Sequence, residues 1–341
     1  AYVAAWSKPT PGRPRCDRGE APVVLFHRYD AVLVIDHQEG QAWLVGDDAA
    51  ACRRLRARLG GPRPAEPSEF EVSALSVDDP RAHREAIERA LAHIAAGDVY
   101  EVNVARRWLA RFEGSALALW LRMREASQVP LGMFFDAGDH SVLACTMERF
   151  LRWDAGTRRL VTRPIKGTVR RMPGDDEAKA RLLADPKERA EHSMIVDLMR
   201  NDLGRVARVG TVQVEAPLVV EPFTGLYHLV STLACETREG LSSTDILEAT
   251  FPPGSITGAP KLRAMEIIES LERHPRGVYC GAVGFVDRCG GLSLAVSIRT
   301  ATVRAGAVEY WAGGGIVEAS DPGRELAETE LKARVFLEAI S

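Results

Sequence analysis

Residues 185–199 read Asp185-Pro-Lys-Glu-Arg-Ala-Glu-His-Ser-Met-Ile-Val-Asp-Leu-Met199 and predict a long amphipathic helix that packs on the core. Asp185 can cap the helix, proline suits the first helical position, and Glu188 completes a capping box. The residues three, four, seven and eight positions after Glu191 are Met, Ile or Leu, which places Glu191 on the apolar face. Burying a carboxylate is costly unless a positive group meets it. The stretch therefore predicts a helix with a charged site on its buried face.

The segments on either side of this helix predict an α+β fold. Strands are expected at residues 31–36, 42–45, 99–112, 131–136, 141–147, 149–153, 158–164, 211–221, 226–236, 277–287, 292–302 and 306–312. Helices are expected at residues 80–96, 115–127, 243–250 and 261–272, with a last helix from residue 322. The elements do not follow the βαβ order of a parallel sheet, so we expect sheets packed against helices.

The composition indicates an ordinary globular protein. The chain has 341 residues, of which 46% are hydrophobic and 27% charged, and its net charge is -3. It has no basic stripe with interleaved aromatic residues, so we expect no nucleic acid partner. No apolar run approaches the roughly 18 residues of a membrane span, and no signal peptide pattern opens the chain. We therefore expect a cytoplasmic location and no membrane partner.

The cysteines form no pattern typical of a disulfide framework or a zinc site. They occupy positions 16, 52, 145, 235, 280 and 289, without a Cys-x-x-Cys pair and mostly in apolar surroundings. Buried free thiols are the expected state.

Lysine is rare in this chain, with six lysines among the 44 Lys and Arg residues. Three of the six, Lys166, Lys261 and Lys332, lie in Gly/Pro-punctuated or acidic motifs. A desolvated lysine can lose its proton and become a nucleophile or base, whereas arginine stays protonated. Lys166, in Arg163-Pro-Ile-Lys-Gly-Thr168, is therefore the first candidate for chemistry, and an ordinary surface lysine is the alternative.

The last helix repeats the acidic spacing of the first. Glu325 and Glu328 stand three residues apart, as Glu188 and Glu191 do, and Lys332 follows one turn later. Carboxylate oxygens of this kind are the usual protein ligands of Mg²⁺. From the spacing alone, solvated or ion-paired glutamates are the favoured interpretation of both pairs, because Glu-x-x-Glu by itself is a weak motif.

Glycine-bearing loops and single polar residues add candidates for anion binding. The loop Pro253-Gly-Ser-Ile-Thr-Gly-Ala-Pro-Lys261 runs into a helix, so free backbone N–H groups point at whatever precedes it. Residues 312–316, Ala-Gly-Gly-Gly-Ile, allow close approach of a ligand to the backbone. Arg299 suits a carboxylate clamp in an apolar strand. The alternatives are tight turns for the loops, a structural ion pair for Arg299 and a core histidine for His228.

Together these segments resemble the chorismate-utilising enzymes, a resemblance that covers residues 80–341 and more weakly extends from residue 22. It implies the α+β fold of that family, with antiparallel sheets packed together and flanked by helices. It also implies a shortened N-terminal region at 1–75, which contributes strands to the sheet, and a catalytic domain at 76–341. The motifs that carry the resemblance are Arg163-Pro-Ile-Lys-Gly-Thr168, the run from Arg189 to Gly204, His228-Leu-Val-Ser-Thr232, Gly254-Ser-Ile-Thr-Gly-Ala-Pro-Lys261, Tyr279-Cys-Gly-Ala-Val-Gly284 and Gly313-Gly-Gly-Ile-Val317.

The resemblance also implies roles for individual residues. Lys166 would add to C2 of chorismate as the 4-hydroxyl leaves, and Glu148 would protonate that hydroxyl. Glu191 and Glu328 would bind Mg²⁺, with Glu188 and Glu325 as water-mediated outer ligands. The substrate-binding positions would be Gly167, Thr168, His228, Ser255, Tyr279, Arg299, Gly313, Gly315 and Lys332.

Lys166 distinguishes branches within the family. Enzymes that form 4-amino-4-deoxychorismate, the precursor of 4-aminobenzoate and folate, carry lysine there, whereas anthranilate-forming enzymes have a small residue and often Ser in place of Thr257. The sequence has no Cys-His glutaminase motif, so the resemblance implies ammonia delivered by a separate glutamine amidotransferase subunit. An anthranilate-forming enzyme and a non-catalytic chorismate-binding paralogue are the alternatives.

Three features depart from the family pattern. Glu101 stands where many relatives have Gln and where the isochorismate and salicylate synthases have a lysine base. Thr146-Met147 replaces the Ser-Pro often found before the catalytic glutamate. Relatives also carry a longer N-terminal part, sometimes with a tryptophan site, which we expect to be absent or incomplete here.

Overall fold

The computed structural model describes residues 24–62, 66–171, 174, 176–223 and 226–341. The chain divides into two compact units after residue 67. In the first unit, β1 (Ala31–Asp36) and β2 (Gln41–Gly46) form an antiparallel pair, and α1 (Ala49–Leu59) follows. Asp48 caps α1 by accepting a hydrogen bond from the Ala51 N–H. The predicted strand pair is confirmed, whereas α1 was not predicted.

The second unit contains the remaining elements. Its strands are β3 (Phe70–Val77), β4 (Glu101–Gly114), β5 (Leu131–Asp136), β6 (His140–Thr146), β7 (Arg149–Asp154), β8 (Arg159–Arg163), β9 (Ile165–Arg170), β10 (Gln213–Phe223), β11 (Leu226–Glu236), β12 (Gly258–Ala259), β13 (Ala282–Val286), β14 (Leu292–Val296), β15 (Thr300–Arg304) and β16 (Ala307–Ile316). Its helices are α2 (Pro80–Ala95), α3 (Ala116–Ser127), α4 (Asp176–Ala184), α5 (Pro186–Gly204), α6 (Ser243–Thr250), α7 (Lys261–Leu271) and α8 (Pro322–Ile340).

These strands form two antiparallel sheets. The first sheet has the order β12-β4-β16-β15-β6-β5, with β3 beside β4. The second sheet has the order β10-β11-β8-β7-β14-β13, with β9 also paired to β11. Strands β1 and β2, from the region 1–75, form a separate two-stranded sheet. Strand β3 joins the first sheet, and it extends past the predicted boundary at residue 75.

The two sheets pack together with α5 in one apolar core. Ile195, Met199 and Leu203 of α5 are buried in a cluster with Leu151 of the second sheet and Trp311 of the first. Ile195 and Met199 belong to the apolar face predicted from the sequence, and Leu203 continues it one turn further. Burying each side chain contributes roughly 1.5–3 kcal/mol. The predicted α+β architecture of packed antiparallel sheets flanked by helices is confirmed.

The last helix covers the other part of the first sheet. Phe336 of α8 is fully buried and stacks on Tyr310 of β16, with ring centroids 4.6 Å apart and planes 2° from parallel. This contact fixes α8 beside the strand that carries the three consecutive glycines. Glu325, Glu328 and Lys332 are thereby held next to the end of β16.

Two predicted strands are interrupted. The strand expected at 158–164 ends at Arg163, and β9 starts after Pro164, so that β8 and β9 pair with successive parts of β11. The strand expected at 292–302 is two strands, β14 and β15, because Arg299 adopts a positive φ of 52°. The apolar pattern gives no sign of the second break, whereas Pro164, which cannot donate a hydrogen bond to a strand ladder, marks the first. The elements β3 and α4 were not predicted either.

The cysteine prediction is mostly confirmed. Cys145, Cys235 and Cys280 are buried free thiols, and Cys52 is a half-buried one. Cys289 is a free thiol but is exposed, in the turn between β13 and β14, so the expectation of burial was wrong for it. Cys16 lies outside the described residues. Among the described helices, none has the length and apolar character needed to cross a membrane.

Candidate active site

A buried ion pair connects the two sheets. Lys166, on β9, donates a hydrogen bond of 2.6 Å to Oε1 of Glu101, the first residue of β4. The Lys166 side chain is 12% exposed and the Glu101 side chain 2%. Because solvent screens such a pair poorly, each charge strongly affects the other. The lysine selected from the sequence therefore lies in a polar site between the sheets.

The protonation state of Lys166 differs from the one that the sequence suggested. Burial by itself lowers the pKa of this lysine, but the carboxylates of Glu101, Glu191 and Glu148 outweigh burial and raise the pKa above its ordinary value. Lys166 is therefore an ammonium ion in this arrangement. A nucleophilic role requires that another group take its proton.

Glu148 lies between β6 and β7 and is 4% exposed. Its Oε1 accepts a 2.5 Å hydrogen bond from Ser255 Oγ. Burial raises the pKa of Glu148 to about 7, although Ser255 and the charge of Lys166 favour the carboxylate form. A carboxyl group with this pKa is partly protonated at neutral pH, as a general acid must be. The departure at Thr146 leaves local order intact, because Thr146 Oγ1 accepts a hydrogen bond of 3.3 Å from the Glu148 N–H.

The glycine run on β16 makes room for the site. A Cβ atom at Gly315 would lie 2.2 Å from Glu101 Oε1 and 2.9 Å from Lys166 Nζ. A Cβ atom at Gly314 would lie 2.9 Å from Glu325 Oε2. At Gly313 it would lie 2.6 Å from the carbonyl oxygen of Val104 on the neighbouring strand. The run is thus required by close approach of the chain's own polar side chains and backbone, whereas the predicted approach of a ligand stays a prediction.

Carboxylates from α5 and α8 approach the same region. Lys187 Nζ lies 3.5 Å from Glu191 Oε1 and 4.0 Å from Glu325 Oε1, and so connects the two helices. Glu328 Oε1 pairs with Lys332 Nζ at 2.6 Å. Glu188 lies beside β9, since a Cβ atom at Gly167 would be 3.0 Å from Glu188 Oε2. Glu191 of α5 and Glu325 of α8 therefore meet at Lys187, whereas Glu328 is paired with Lys332 and Glu188 lies beside β9.

The fit of these glutamates to Mg²⁺ is partial. Within the described residues, no group of three or more carboxylate, imidazole or thiolate side chains is close enough to hold a metal ion. The donor chemistry is suitable, however, because all four are hard oxygen ligands. Glu191 Oε1 is buried without a hydrogen-bond partner, and burial raises the pKa of this carboxyl to about 7. Because the same oxygen is held by the ion pair with Lys187, a cation binding there would take the place of the Lys187 ammonium group.

Positive groups and a neutral histidine form the opposite side of the site. Lys332 Nζ donates to the Gly313 carbonyl oxygen at 2.8 Å, and Arg299 Nη1 donates to the Lys332 carbonyl oxygen at 2.8 Å. His228 Nδ1 lies 3.0 Å from the carbonyl oxygen of Gly167 and 3.0 Å from Thr168 Oγ1. Burial, together with the charges of Arg299 and Lys332, lowers the pKa of His228 to about 4, although the hydrogen bond with the Gly167 backbone opposes the shift. His228 is therefore neutral, and its buried Nε2 has no hydrogen-bond partner.

The two remaining predicted positions, Tyr279 and Ser255, contact other side chains of the protein. Tyr279 is buried and stacks on Trp311 of β16, with ring centroids 6.0 Å apart. In the loop before α7, Ser255 contacts Glu148, but Lys261 is engaged elsewhere: its Nζ donates to Asp202 Oδ2 at 2.6 Å and to the Thr250 carbonyl oxygen at 2.9 Å. The Lys261 charge therefore holds the loop against α5 and is not free for an anion.

Sequence reasoning missed two members of the site. Lys187 was read only as part of a helix start, and Glu101 only as a departure from a family pattern. A lysine four residues before a buried glutamate was the available signal for Lys187. No signal in the sequence paired Glu101 with Lys166, which lies 65 positions away on the other sheet.

Comparison with known proteins identifies the family of this chain. Residues 2–338 match the family model described as chorismate binding enzyme. Aminodeoxychorismate synthase component 1 of Escherichia coli is 38% identical over 315 residues, covering 92% of this chain and 69% of that protein. Anthranilate synthase component 1 of Thermus thermophilus is 40% identical over 331 residues, covering 94% of this chain and 71% of that protein.

Solved structures give the same relationship. Anthranilate synthase component I from Streptococcus pneumoniae superposes with a TM-score of 0.81 at 31% sequence identity, covering 90% of this chain and 72% of that one. MenF, the isochorismate synthase of Escherichia coli, shares the fold with a TM-score of 0.74 at 24% identity. With a family match that spans nearly the whole sequence and a polar site enclosed by two packed sheets, this chain belongs to the chorismate binding enzymes.

Proposed function

We propose that this chain is the chorismate-converting component of an aminodeoxychorismate synthase, which makes 4-amino-4-deoxychorismate from chorismate and ammonia on the route to 4-aminobenzoate and folate. The observation that carries the proposal is Lys166, an amine-bearing side chain buried in the site and neighboured by Glu148, a carboxyl group with a pKa of about 7. An anthranilate-forming enzyme does not need a lysine amine at that point. The relatives named aminodeoxychorismate synthase component 1 support the same choice.

The reaction would proceed in two displacement steps. In the first, the Lys166 amine bonds to C2 of chorismate, the ring double bonds shift, and the 4-hydroxyl leaves as water with the proton of Glu148. In the second, ammonia bonds to C4, the double bonds shift back, and the C2–nitrogen bond to Lys166 breaks. The enolpyruvyl side chain stays on the product. Arg299 and Lys332 would bind the carboxylates of the substrate.

We propose Glu191 and Glu328 as ligands of Mg²⁺, with Glu188 and Glu325 as water-mediated outer ligands. When bound, Mg²⁺ would neutralise the ring carboxylate of chorismate and hold it in place. The donor set and the unsatisfied Glu191 oxygen support this assignment. Lys187 would release Glu191 as the metal enters.

Magnesium binding is expected to be measurable without turnover. MgCl₂ should raise the thermal unfolding midpoint in a saturable manner, because a ligand that binds only the folded state stabilises it. Glu191→Gln and Glu328→Gln should abolish that increase. Glu338 is an exposed residue of α8, the helix that carries Glu328. Glu338→Gln is therefore the matched control and should keep the increase in the unfolding midpoint. An equal increase in all four proteins would refute the metal assignment.

The ammonia would come from a glutamine amidotransferase subunit. The proteins named component 1 among the relatives support a two-component enzyme. The isolated chain should then use ammonium salts but not glutamine. Adding a glutamine amidotransferase subunit from the same organism should give glutamine-dependent activity. If no such subunit raises the activity with glutamine, the partnership is contradicted.

The decisive experiment is an assay of product identity. The chain is incubated with chorismate, Mg²⁺ and ammonium salt, with and without an aminodeoxychorismate lyase, and products are identified by mass spectrometry. We expect 4-amino-4-deoxychorismate, which the lyase converts to 4-aminobenzoate. Anthranilate with pyruvate release would support the second candidate, anthranilate synthase component I, which the Thermus thermophilus relative favours. Binding of chorismate without turnover would indicate a non-catalytic paralogue.

The acid role of Glu148 predicts a pH dependence. Burial raises the pKa of Glu148 to about 7, so its protonated fraction falls as pH rises through that value. At a constant concentration of free ammonia, kcat/KM for chorismate should therefore decline above pH of about 7. Ser255→Ala removes the donor that stabilises the carboxylate and should move the decline to higher pH. A rate that stays constant up to pH of about 9 would contradict the acid role.

A further inference from the structure

Glu101 has no part in the reaction as described so far, yet it makes the closest polar contact of Lys166. Its Oε1 accepts the 2.6 Å hydrogen bond from Nζ, and the glutamate side chain is 2% exposed. Gly315 leaves the space in which the two groups meet, since a Cβ atom there would overlap both of them. The backbone of β16 is thus shaped around this pair.

Lys166 cannot attack chorismate as an ammonium ion, because its nitrogen then has no lone pair. A proton acceptor must lie within hydrogen-bond reach of Nζ. In the part of the chain that the structure describes, the carboxylate in ion-pair contact with Lys166 is that of Glu101. Glu148 cannot serve both purposes, because it has to carry a proton for the leaving hydroxyl and already accepts from Ser255.

The surroundings of Glu101 suit a carboxylate that changes its protonation state. A permanent structural carboxylate is expected to have both oxygens hydrogen-bonded when buried. Glu101 has one such bond, and its buried Oε2 has no hydrogen-bond partner. Moving one proton from Lys166 to Glu101 would convert two buried charges into two neutral groups. Exclusion of water reduces the free energy that this transfer costs.

We propose that Glu101 is the general base that takes the proton of Lys166 and so generates the attacking amine. The inference rests on the proposed function, because it assigns the step that precedes attack by Lys166. After transfer, Glu101 is a neutral acid and Lys166 a neutral amine. The amine bonds to C2 and becomes a secondary ammonium group, while Glu148 gives its proton to the leaving hydroxyl.

The second displacement restores both residues. Ammonia bonds to C4, and Lys166 leaves C2 as a neutral amine with the electron pair of the broken bond. Glu101 returns its proton to Lys166, which re-forms the ion pair. The new C4 ammonium group gives one proton to Glu148. The net reaction is chorismate and ammonia to 4-amino-4-deoxychorismate and water, and no other reactant is required.

The test is Glu101→Gln, which keeps the size of the side chain, cannot accept the proton, and places here the amide that many relatives carry at this position. We expect kcat for the 4-amino product to fall by about 10²- to 10³-fold with little change in chorismate affinity measured by calorimetry. Glu101→Asp retains a carboxylate and should recover part of that loss. Circular dichroism and the thermal midpoint verify that each variant is folded.

A second measurement separates a base from a purely electrostatic partner. Removing the Glu101 charge lowers the pKa of Lys166, so the variant should react faster with potassium cyanate at Lys166, located by peptide mass spectrometry. If Glu101 acted only by keeping Lys166 protonated, the Glu101→Gln variant would react faster with cyanate and would also turn over chorismate at the wild-type rate or faster. Slower turnover despite a more reactive amine supports the base, and turnover at or above the wild-type rate overturns it.

The outcomes also separate this inference from the function on which it rests. If the wild type makes the 4-amino product, and Lys166→Ala loses it but Glu101→Gln does not, the base assignment fails and the proposed function stands. If the wild type makes anthranilate and Lys166→Ala remains active, the proposed function and the base assignment both fail.

Discussion

Lys166→Ala is expected to reduce formation of 4-amino-4-deoxychorismate by at least about 10³-fold, because it removes the group that forms the covalent bond to C2. The site should otherwise survive, since Glu148 keeps its hydrogen bond to Ser255. Chorismate binding, measured by calorimetry, should therefore change much less than turnover. The product assay with ammonium salt gives the comparison directly.

Lys166→Arg is the matched control for charge. Arginine preserves a positive group facing Glu101 but does not lose its proton at any working pH. The arginine variant should therefore be as inactive as the alanine variant. Recovery of the 4-amino product by arginine would mean that position 166 supplies charge and not a nucleophile. Mass spectrometry of the quenched wild-type enzyme should also show a chorismate-derived adduct on the peptide that contains Lys166, and neither variant should show it.

Glu148→Gln is expected to have the second largest effect, a loss of about 10²- to 10⁴-fold in kcat, because the amide cannot protonate the departing hydroxyl. The substitution is nearly isosteric, and Ser255 can still donate to the amide oxygen. The thermal midpoint should be unchanged or higher, since a buried carboxyl whose pKa is raised is replaced by a neutral group. Steady-state rates at saturating chorismate measure the effect.

Glu309→Gln is a suitable control for this experiment. Burial raises the pKa of Glu309 as well, but its carboxylate accepts from Trp311 Nε1 on the same strand and is not part of the site. The Glu309 variant should retain nearly full turnover. Comparable losses in both variants would show that burial of a carboxyl, and not acid catalysis, explains the result at Glu148.

Much of this molecule could be predicted locally. The N-terminal cap, the proline and the apolar spacing after Glu191 predicted α5, and the structure buries Ile195, Met199 and Leu203. The scarcity of lysine selected Lys166 as a chemical candidate before any comparison. The helix prediction succeeded because capping and periodicity depend on residues within about one or two helical turns of one another.

Other features depended on positions distant in the chain. The break of the predicted strand at Arg299, where φ is positive, has no signature in the apolar pattern, and it places β14 in the second sheet and β15 in the first. Lys187 looks like a solvated residue at a helix start, yet it connects Glu191 with Glu325 of the last helix. The helix-to-helix distance that brings Glu325 there is set by the packing of α8 on β16.

The amino-acid sequence by itself determined the α+β class, the principal helices and strands, and the family with its candidate lysine and glutamates. Only the tertiary structure decided that Lys166 is an ammonium ion held by Glu101 and that Glu148 is a buried acid. The physical reason is that pKa values depend on burial and on charges within a few ångströms. Those neighbours come from two different sheets, and the packing of the sheets, not the order of residues, places them together.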